Sequence, residues 1–315
     1  MEKSEFIEED FISALNAVLS HFSIKNLRID RISQAEEAKK GYDGTLKLRK
    51  LIYIQFKRSD YYFGNGKSKI EKGREQLGFF NNRGFFSFKL LKKGNGPLCY
   101  NQHNQLWNLG RNNDAFYCAP LFYKKKDLSK FNFTFYPNLP KREKLEIHEN
   151  NIMPFCFSPQ FMIDNTIFIK PHKEITDTQP HSYSYDKSRK IVFHSDCEKA
   201  NFGIKLSQYI NTISKLLEMK KIEFKKIDFI SIYNSLREYS YNFIEDIPTE
   251  LLIYFNYLYG TNYSISDFNN LLNKMDTFEL GSILEYFLKD NFNIYQYGLF
   301  SEKTNAGKTD NMHYI

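Results

Sequence analysis

A short stretch of alternating side chains constrains this 315-residue chain more than any other part of it. Within Leu51–Lys57, isoleucine or phenylalanine occupies every second position, and Gln55 and Lys57 fall on the intervening positions. Because successive side chains of a β-strand point to opposite faces of a sheet, this alternation predicts a strand. Gln55 and Lys57 would then point the same way.

An acidic residue lies just upstream of this strand. Asp43 stands beside Gly44, where the chain can turn and return antiparallel toward the same strand end. The Asp43 carboxylate, the Gln55 amide and the backbone carbonyl of Phe56 are oxygen ligands of the kind that Mg²⁺, or Mn²⁺, prefers. The sequence therefore predicts a divalent-cation site faced by Lys57.

The spacing of these residues resembles a known motif. Asp43, followed twelve residues later by Gln55-Phe56-Lys57, is similar to the D…(E/Q)xK motif of the PD-(D/E)XK nuclease superfamily. Gln55 departs from the glutamate that most members carry, although some members carry glutamine. The resemblance implies an α/β (α+β) restriction-endonuclease-like core with a mixed sheet and magnesium-dependent hydrolysis of DNA phosphodiester bonds. It also implies that Asp43, Gln55 and Lys57 are catalytic and that Asp43, Gln55 and Phe56 hold the metal.

The first helix offers a further carboxylate. Residues 5–22 have apolar side chains at helical spacing, and Glu8 lies at the edge of that apolar stripe. In the resembled superfamily a carboxylate of the first helix often assists the metal site, which makes Glu8 a fourth catalytic candidate. The alternative is that Glu8 only complements the helix dipole.

Positive charge is concentrated around the predicted site. Residues 39–93 contain fifteen lysines and arginines against four acids, whereas the whole chain carries a net charge of +7. Such a patch favours phosphate contacts and a salt-dependent affinity for nucleic acid, although a solvated basic face is the alternative. The expected contacts are Lys39, Lys40, Arg58, Lys67, Lys69, Lys72 and Arg74.

A second helix and strand follow. Residues 101–109 predict a helix, and the apolar run at 115–122 predicts a buried strand. The resemblance suggests that Gln105 on this helix supports the site and contacts nucleic acid, while His103 is expected on the helix surface.

Changes in composition predict four regions. We expect a nuclease domain at 1–138, a strand and loop region at 139–198, a helical domain at 199–300 and a flexible tail at 301–315. The helical domain would serve target recognition, homodimerisation or contact with a partner defence protein.

The main hypothesis is a DNA nuclease of restriction or antiphage defence, and the sequence leaves two alternative functions open. One is a catalytically inactive nuclease-fold protein that binds DNA, with RNA not excluded, and acts with a partner. The other is an assembly protein whose helical half docks a partner. The absence of a long apolar run or signal peptide predicts a cytoplasmic protein without membrane contact, and the sequence offers no Ser/His/Asp or Cys/His nucleophile.

Overall fold

A computed structural model of the chain describes residues 1–20, 23–24, 27–31, 46–65, 68–79, 84–96, 99–128, 132–134, 156–158, 160–200, 203–218, 252–253, 255–257, 260–272, 274–275 and 277–302. Within these ranges no helix is both long enough and apolar enough to cross a bilayer.

The described residues form an α+β protein. Its strands are β1 (Ser23–Ile24), β2 (Leu27–Arg31), β3 (Leu46–Phe56), β4 (Asp60–Tyr62), β5 (Phe85–Lys89), β6 (Asp114–Pro120), β7 (Asn132–Thr134), β8 (Cys156–Ser158), β9 (Thr166–Ile169), β10 (Ser182–Tyr185), β11 (Ile191–His194), β12 (Glu198–Ala200), β13 (Gly203–Lys205) and β14 (Tyr295–Glu302). Its helices are α1 (Glu8–Ser20), α2 (Lys69–Gln76), α3 (Asn101–Asn112), α4 (Gln160–Asp164), α5 (Leu206–Glu218), α6 (Ile265–Leu272) and α7 (Thr277–Phe292), with a 3₁₀ turn at Lys125–Asp127.

The chain divides into two compact units that are not consecutive in sequence. Unit 1 comprises residues 1–18, 55–107 and 116–213, and unit 2 comprises 19–54, 108–115 and 214–315. In unit 1, an antiparallel sheet has the strand order β12-β11-β10-β5-β4. Since β5 pairs with β10, residues before and after the predicted boundary at 138 share one sheet. A domain border at that position therefore does not separate compact units.

The end of β3 packs against α1 in unit 1. Phe11 and Phe56 meet edge to face, with their ring centroids 6.0 Å apart. Beyond β3, the Lys57 amide donates to the Cys118 carbonyl of β6 at 2.9 Å, and β6 continues the sheet through β9 to β13. This contact fixes the backbone of Lys57 beside β6.

Unit 2 contains β1, β2, β14 and most of β3, which lie side by side in that order. The sequence predicted only helices up to residue 300 and a tail beyond it, but β14 pairs with both β2 and β3. Within this unit the Lys50 ammonium lies 2.6 Å from Asp114 of β6. Together with the contact between Lys57 and Cys118 farther along both strands, this shows that β3 and β6 run parallel, so their sheet is mixed.

Candidate functional site

Part of the predicted site lies outside the described residues. Asp43, Lys39, Lys40 and Lys67 are not among them. The described part contains Glu8, Gln55, Phe56 and Lys57, all of which belong to unit 1. These four residues therefore lie within one compact unit.

Phe56 at the end of β3 and Lys57 just beyond it make different contacts. Phe56 faces Phe11 of α1, whereas the Lys57 ammonium lies 5.8 Å from the ring centroid of Tyr117 on β6. The strand, which ends at Phe56, agrees with the alternation in the sequence. The structure adds that both faces are covered, since Gln55 is 1% exposed and Lys57 is 7% exposed.

Lys57 is a buried amine close to a carboxylate. Burial lowers the pKa of Lys57 because the charged form loses its hydration, and the negative charge of Glu8 opposes this by raising it. Glu8 is the first residue of α1 and is half-buried. The negative charge of Glu8 thus acts on Lys57, and a role of Glu8 in a metal site stays a prediction.

A buried histidine supports the aromatic ring beneath Lys57. His103 of α3 is buried, and its Nε2 lies 2.6 Å from the Lys173 carbonyl oxygen. Because a carbonyl only accepts, Nε2 carries the proton, and Nδ1 accepts from the Tyr117 hydroxyl at 2.5 Å. The prediction that His103 lies on the helix surface was wrong: its ring positions Tyr117.

The neutral state of His103 predicts a loss of stability in acid. Burial lowers its pKa from 6.5 to about 4, so the unfolded chain binds more protons than the folded chain between these values. The contribution of this group to stability is therefore complete above pH 6.5 and is lost as the pH falls from 6.5 to about 4, by at most about 3 kcal/mol. We expect a His103→Gln variant, which keeps a donor and an acceptor, to show a shallower dependence of unfolding free energy on pH in urea titrations from pH 7 to 4.

His194 provides the comparison for this experiment. Burial, followed by the charge of Arg74, lowers its pKa to about 4, so it contributes a similar slope that His103→Gln leaves in place. An unchanged slope in the variant would contradict the assignment of His103 as a neutral buried base.

Gln105 lies in the interior. Its side chain is 0% exposed, which corrects the expectation that it contacts nucleic acid. The cause is the packing of α3, whose neighbouring Asn104 exchanges two hydrogen bonds with the backbone of Ile175, at 2.8 and 2.9 Å. Those bonds hold this face of the helix against the segment after β9.

The prediction that Arg74 contacts nucleic acid was also wrong. Its side chain is 0% exposed, and its guanidinium donates to Asp186 at 2.7 Å, to Ser184 Oγ at 3.1 Å and to the Lys190 carbonyl at 3.2 Å. Burial lowers the pKa of Arg74, and the Asp186 carboxylate opposes this. Arg74 therefore ties α2 to β10 and the following turn and does not face a nucleic acid.

The other described members of the basic set lie on the surface. Arg58 follows Lys57, and Lys69 and Lys72 are on α2; all three are exposed. Their positions are compatible with phosphate contacts.

The sequence missed a hydrogen-bonded hydroxyl, imidazole and carboxylate. Ser195 Oγ lies 2.8 Å from Nδ1 of His181, whose Nε2 lies 2.9 Å from Asp177. Burial alone would raise the pKa of Asp177, but hydrogen bonds from the Gln179 amide and His181 outweigh it and lower that pKa. Only the folding of β10 against β11 brings these residues together, which is why spacing in the sequence did not indicate them.

We interpret this chain of contacts as structural. The His181 ring is buried, and it is stacked on Phe193 at 5.2 Å and edge-on to Tyr100 at 4.9 Å. Both ring nitrogens are engaged, so the imidazole is locked in one orientation. The contacts tie the turn after β11 to the segment before β10.

The described residues contain no group of three histidine, cysteine or acidic side chains placed to hold a metal ion. The predicted metal site depends on Asp43, which is outside that part of the chain. Comparisons with protein-family models, with curated proteins and with solved structures find nothing that matches this chain.

Proposed function

We propose that this protein is a metal-dependent nuclease that hydrolyses DNA phosphodiester bonds. The observation that carries the proposal is the burial of the Lys57 amine beside Tyr117, where the negative charge of Glu8 acts on it. The resemblance assigns Glu8 and Lys57 to one site, and both residues belong to unit 1. Gln55 lies near the end of β3, and Lys57 follows directly after that strand.

The donor set suits a hard divalent cation. Carboxylate and amide oxygens are the ligands that Mg²⁺ and Mn²⁺ prefer, and Asp43, Gln55 and the Phe56 carbonyl would hold the ion. When bound, the ion would stabilise negative charge on the scissile phosphate and lower the pKa of the attacking water.

Lys57 is suited to orient that water and to stabilise developing charge. In a site with little water, a compact ammonium acts on a phosphate more strongly than it would in solution. The lowered pKa of Lys57 brings the amine nearer to neutrality, where it can also exchange a proton. The negative charge of Glu8 opposes the effect of burial on this pKa.

The wider setting follows by analogy with nucleases of this kind. A cytoplasmic role in restriction or antiphage defence, together with a homodimer or a partner defence protein, would fit a nuclease that must distinguish foreign DNA.

The first test is cleavage of plasmid and single-stranded DNA with Mg²⁺, with Mn²⁺ and with EDTA. We expect breakage only in the presence of a divalent cation, and its loss in Asp43→Asn, which keeps the size of the side chain but removes a negative charge. Cleavage in EDTA, or full activity of Asp43→Asn, would refute the proposed site.

A second candidate function is a nuclease-fold protein that binds nucleic acid without cutting it. The enclosure of the site favours this alternative, because Gln55 and Lys57 are almost entirely buried. Gln55 also contributes one negative charge fewer than the glutamate of most resembled nucleases. An inert wild type that still binds DNA with a steep salt dependence would select the second candidate.

A further inference from the structure

Unit 1 contains a cleft of about 830 Å³ lined largely by aromatic and lysine side chains. Ligand pockets in proteins commonly have volumes of roughly 300–1,000 Å³, so the cleft can hold a group of substantial size. Its aromatic members are Tyr61, Phe63, Phe86, Phe122, Tyr123 and Phe161. Its cations are Lys124, Lys126, Lys187 and Lys190.

The aromatic rings are ordered around Tyr61 of β4. The rings of Tyr61 and Tyr123 are stacked, with centroids 4.8 Å apart and planes 5° apart, and Phe63 meets Tyr61 edge-on at 5.3 Å. Phe63 nevertheless stays 50% exposed. A large apolar ring held in place with an open face is a surface on which a flat ligand can stack.

A glycine makes room for this arrangement. Gly84 has a φ of +69°, and a Cβ atom at this position would lie 2.1 Å from Tyr61 Oη. Any larger residue would displace the Tyr61 ring or strain the backbone. The position of Tyr61 in the cleft therefore depends on this glycine.

The charge of the cleft is positive. Four lysines face two aspartates, Asp127 and Asp186, among the lining residues. The Asp186 carboxylate is already bound to the buried guanidinium of Arg74 at 2.7 Å, so it offsets the lysines less than a solvated acid would. The lining therefore favours an anion that also carries flat apolar rings.

We propose that this cleft binds an unpaired nucleic-acid strand, with bases stacked on its aromatic rings and phosphates against its lysines. Stacking needs exposed base faces, which a duplex keeps within its own stack. The inference deepens the proposed nuclease function by naming the form of its substrate, and its link to cleavage rests on that function. Binding itself requires neither the cation nor Lys57.

Buried contacts connect the cleft to the chain beside Lys57. Phe86 of the cleft stacks on Tyr185 at 5.7 Å, and the Tyr185 hydroxyl is hydrogen-bonded to Ser59 at 2.5 Å. Ser59 is two residues beyond Lys57. The wall of the cleft and the segment that follows β3 are thus parts of one packed structure.

The test is fluorescence anisotropy with a labelled oligothymidine of about 15 nucleotides, in EDTA so that no cleavage can occur. We expect Phe63→Ala to weaken binding about 5- to 100-fold without changing the salt dependence, because it removes stacking and no charge. We expect Lys187→Ala to reduce the slope of log affinity against log salt by about 0.7, because it removes one phosphate contact. Tyr257→Ala and Lys89→Ala, which remove an exposed ring and an exposed lysine outside the cleft, should leave both quantities unchanged.

Several outcomes would overturn the proposal. The first is an equal loss of affinity in Phe63→Ala and Tyr257→Ala. The second is duplex DNA or thymidine monophosphate that binds as tightly as the oligothymidine. The third is a polyglutamate peptide that binds more tightly than the oligothymidine. Because the assay contains no metal, a wild type that binds the strand but never cuts DNA would refute the nuclease and leave the cleft assignment standing. A wild type that cuts DNA, but whose binding of the strand does not depend on Phe63, would refute the cleft assignment and leave the nuclease standing.

Discussion

Replacing Lys57 by methionine is expected to lower metal-dependent DNA cleavage by about 100-fold or more while leaving the protein folded. Loss of one group that stabilises transition-state charge typically costs a factor of this size. Methionine keeps a flexible apolar side chain beside Tyr117 and removes only the ammonium. Cleavage would be measured under single-turnover conditions, with Lys89→Met as the control because Lys89 is exposed on β5.

Although Lys57→Met should lose cleavage activity, we expect its free energy of unfolding to rise. Burial is the dominant influence on the Lys57 pKa, so removing the charge relieves its desolvation. The unfolded chain holds the Lys57 proton up to about pH 10.5, whereas the folded chain releases it at lower pH, so the wild type gains stability as the pH rises between the two values. The stability advantage of Lys57→Met should therefore be largest near neutral pH and shrink toward pH 10.5.

A variant that cuts DNA at more than half the wild-type rate would exclude Lys57 from the reaction. Cleavage lost together with a lower unfolding free energy would instead indicate that Lys57 supports the fold. The two measurements thus separate a catalytic lysine from a structural one.

Arg74→Met is expected to destabilise the protein by about 3 kcal/mol. Removing one partner of a buried ion pair leaves the other charge poorly compensated, which commonly costs about 3–5 kcal/mol. Asp186 retains amide hydrogen bonds from Ser188 and Lys190, at 2.8 and 3.1 Å, and is partly solvated, which places the expected loss at the lower end. The measurement is urea-induced unfolding at pH 7.

Arg58→Met is the matched comparison because Arg58 is exposed. We expect its unfolding free energy to stay within about 0.5 kcal/mol of wild type, while its affinity for DNA falls. A second substitution, Asp186→Asn, in the Arg74→Met background should recover part of the lost stability, since it removes the uncompensated charge. A loss below about 1 kcal/mol in Arg74→Met would show that the interior contacts of Arg74 contribute little.

The sequence predicted those features that depend on neighbouring residues. The alternation around Gln55 indicated the strand that ends at Phe56, because side-chain direction in a strand follows from local backbone geometry. The apolar stripe of the first helix likewise placed Glu8 at its edge, and Glu8 is half-buried at the start of α1. The assembly of Asp43 with these residues stays a prediction.

Tertiary pairing decided which polar side chains are buried. Arg74 and Asp186 are 112 positions apart in sequence, and no local pattern distinguishes this arginine from its exposed neighbour Lys72. His103 and Gln105 became interior residues because α3 packs on the segment after β9, and the cleft formed because β4 meets residues that follow β6 and β10. The exposure of a side chain depends on which distant segments pack over it. Its direction along a strand or helix depends on the backbone beside it. Only this direction can be predicted from the order of neighbouring residues.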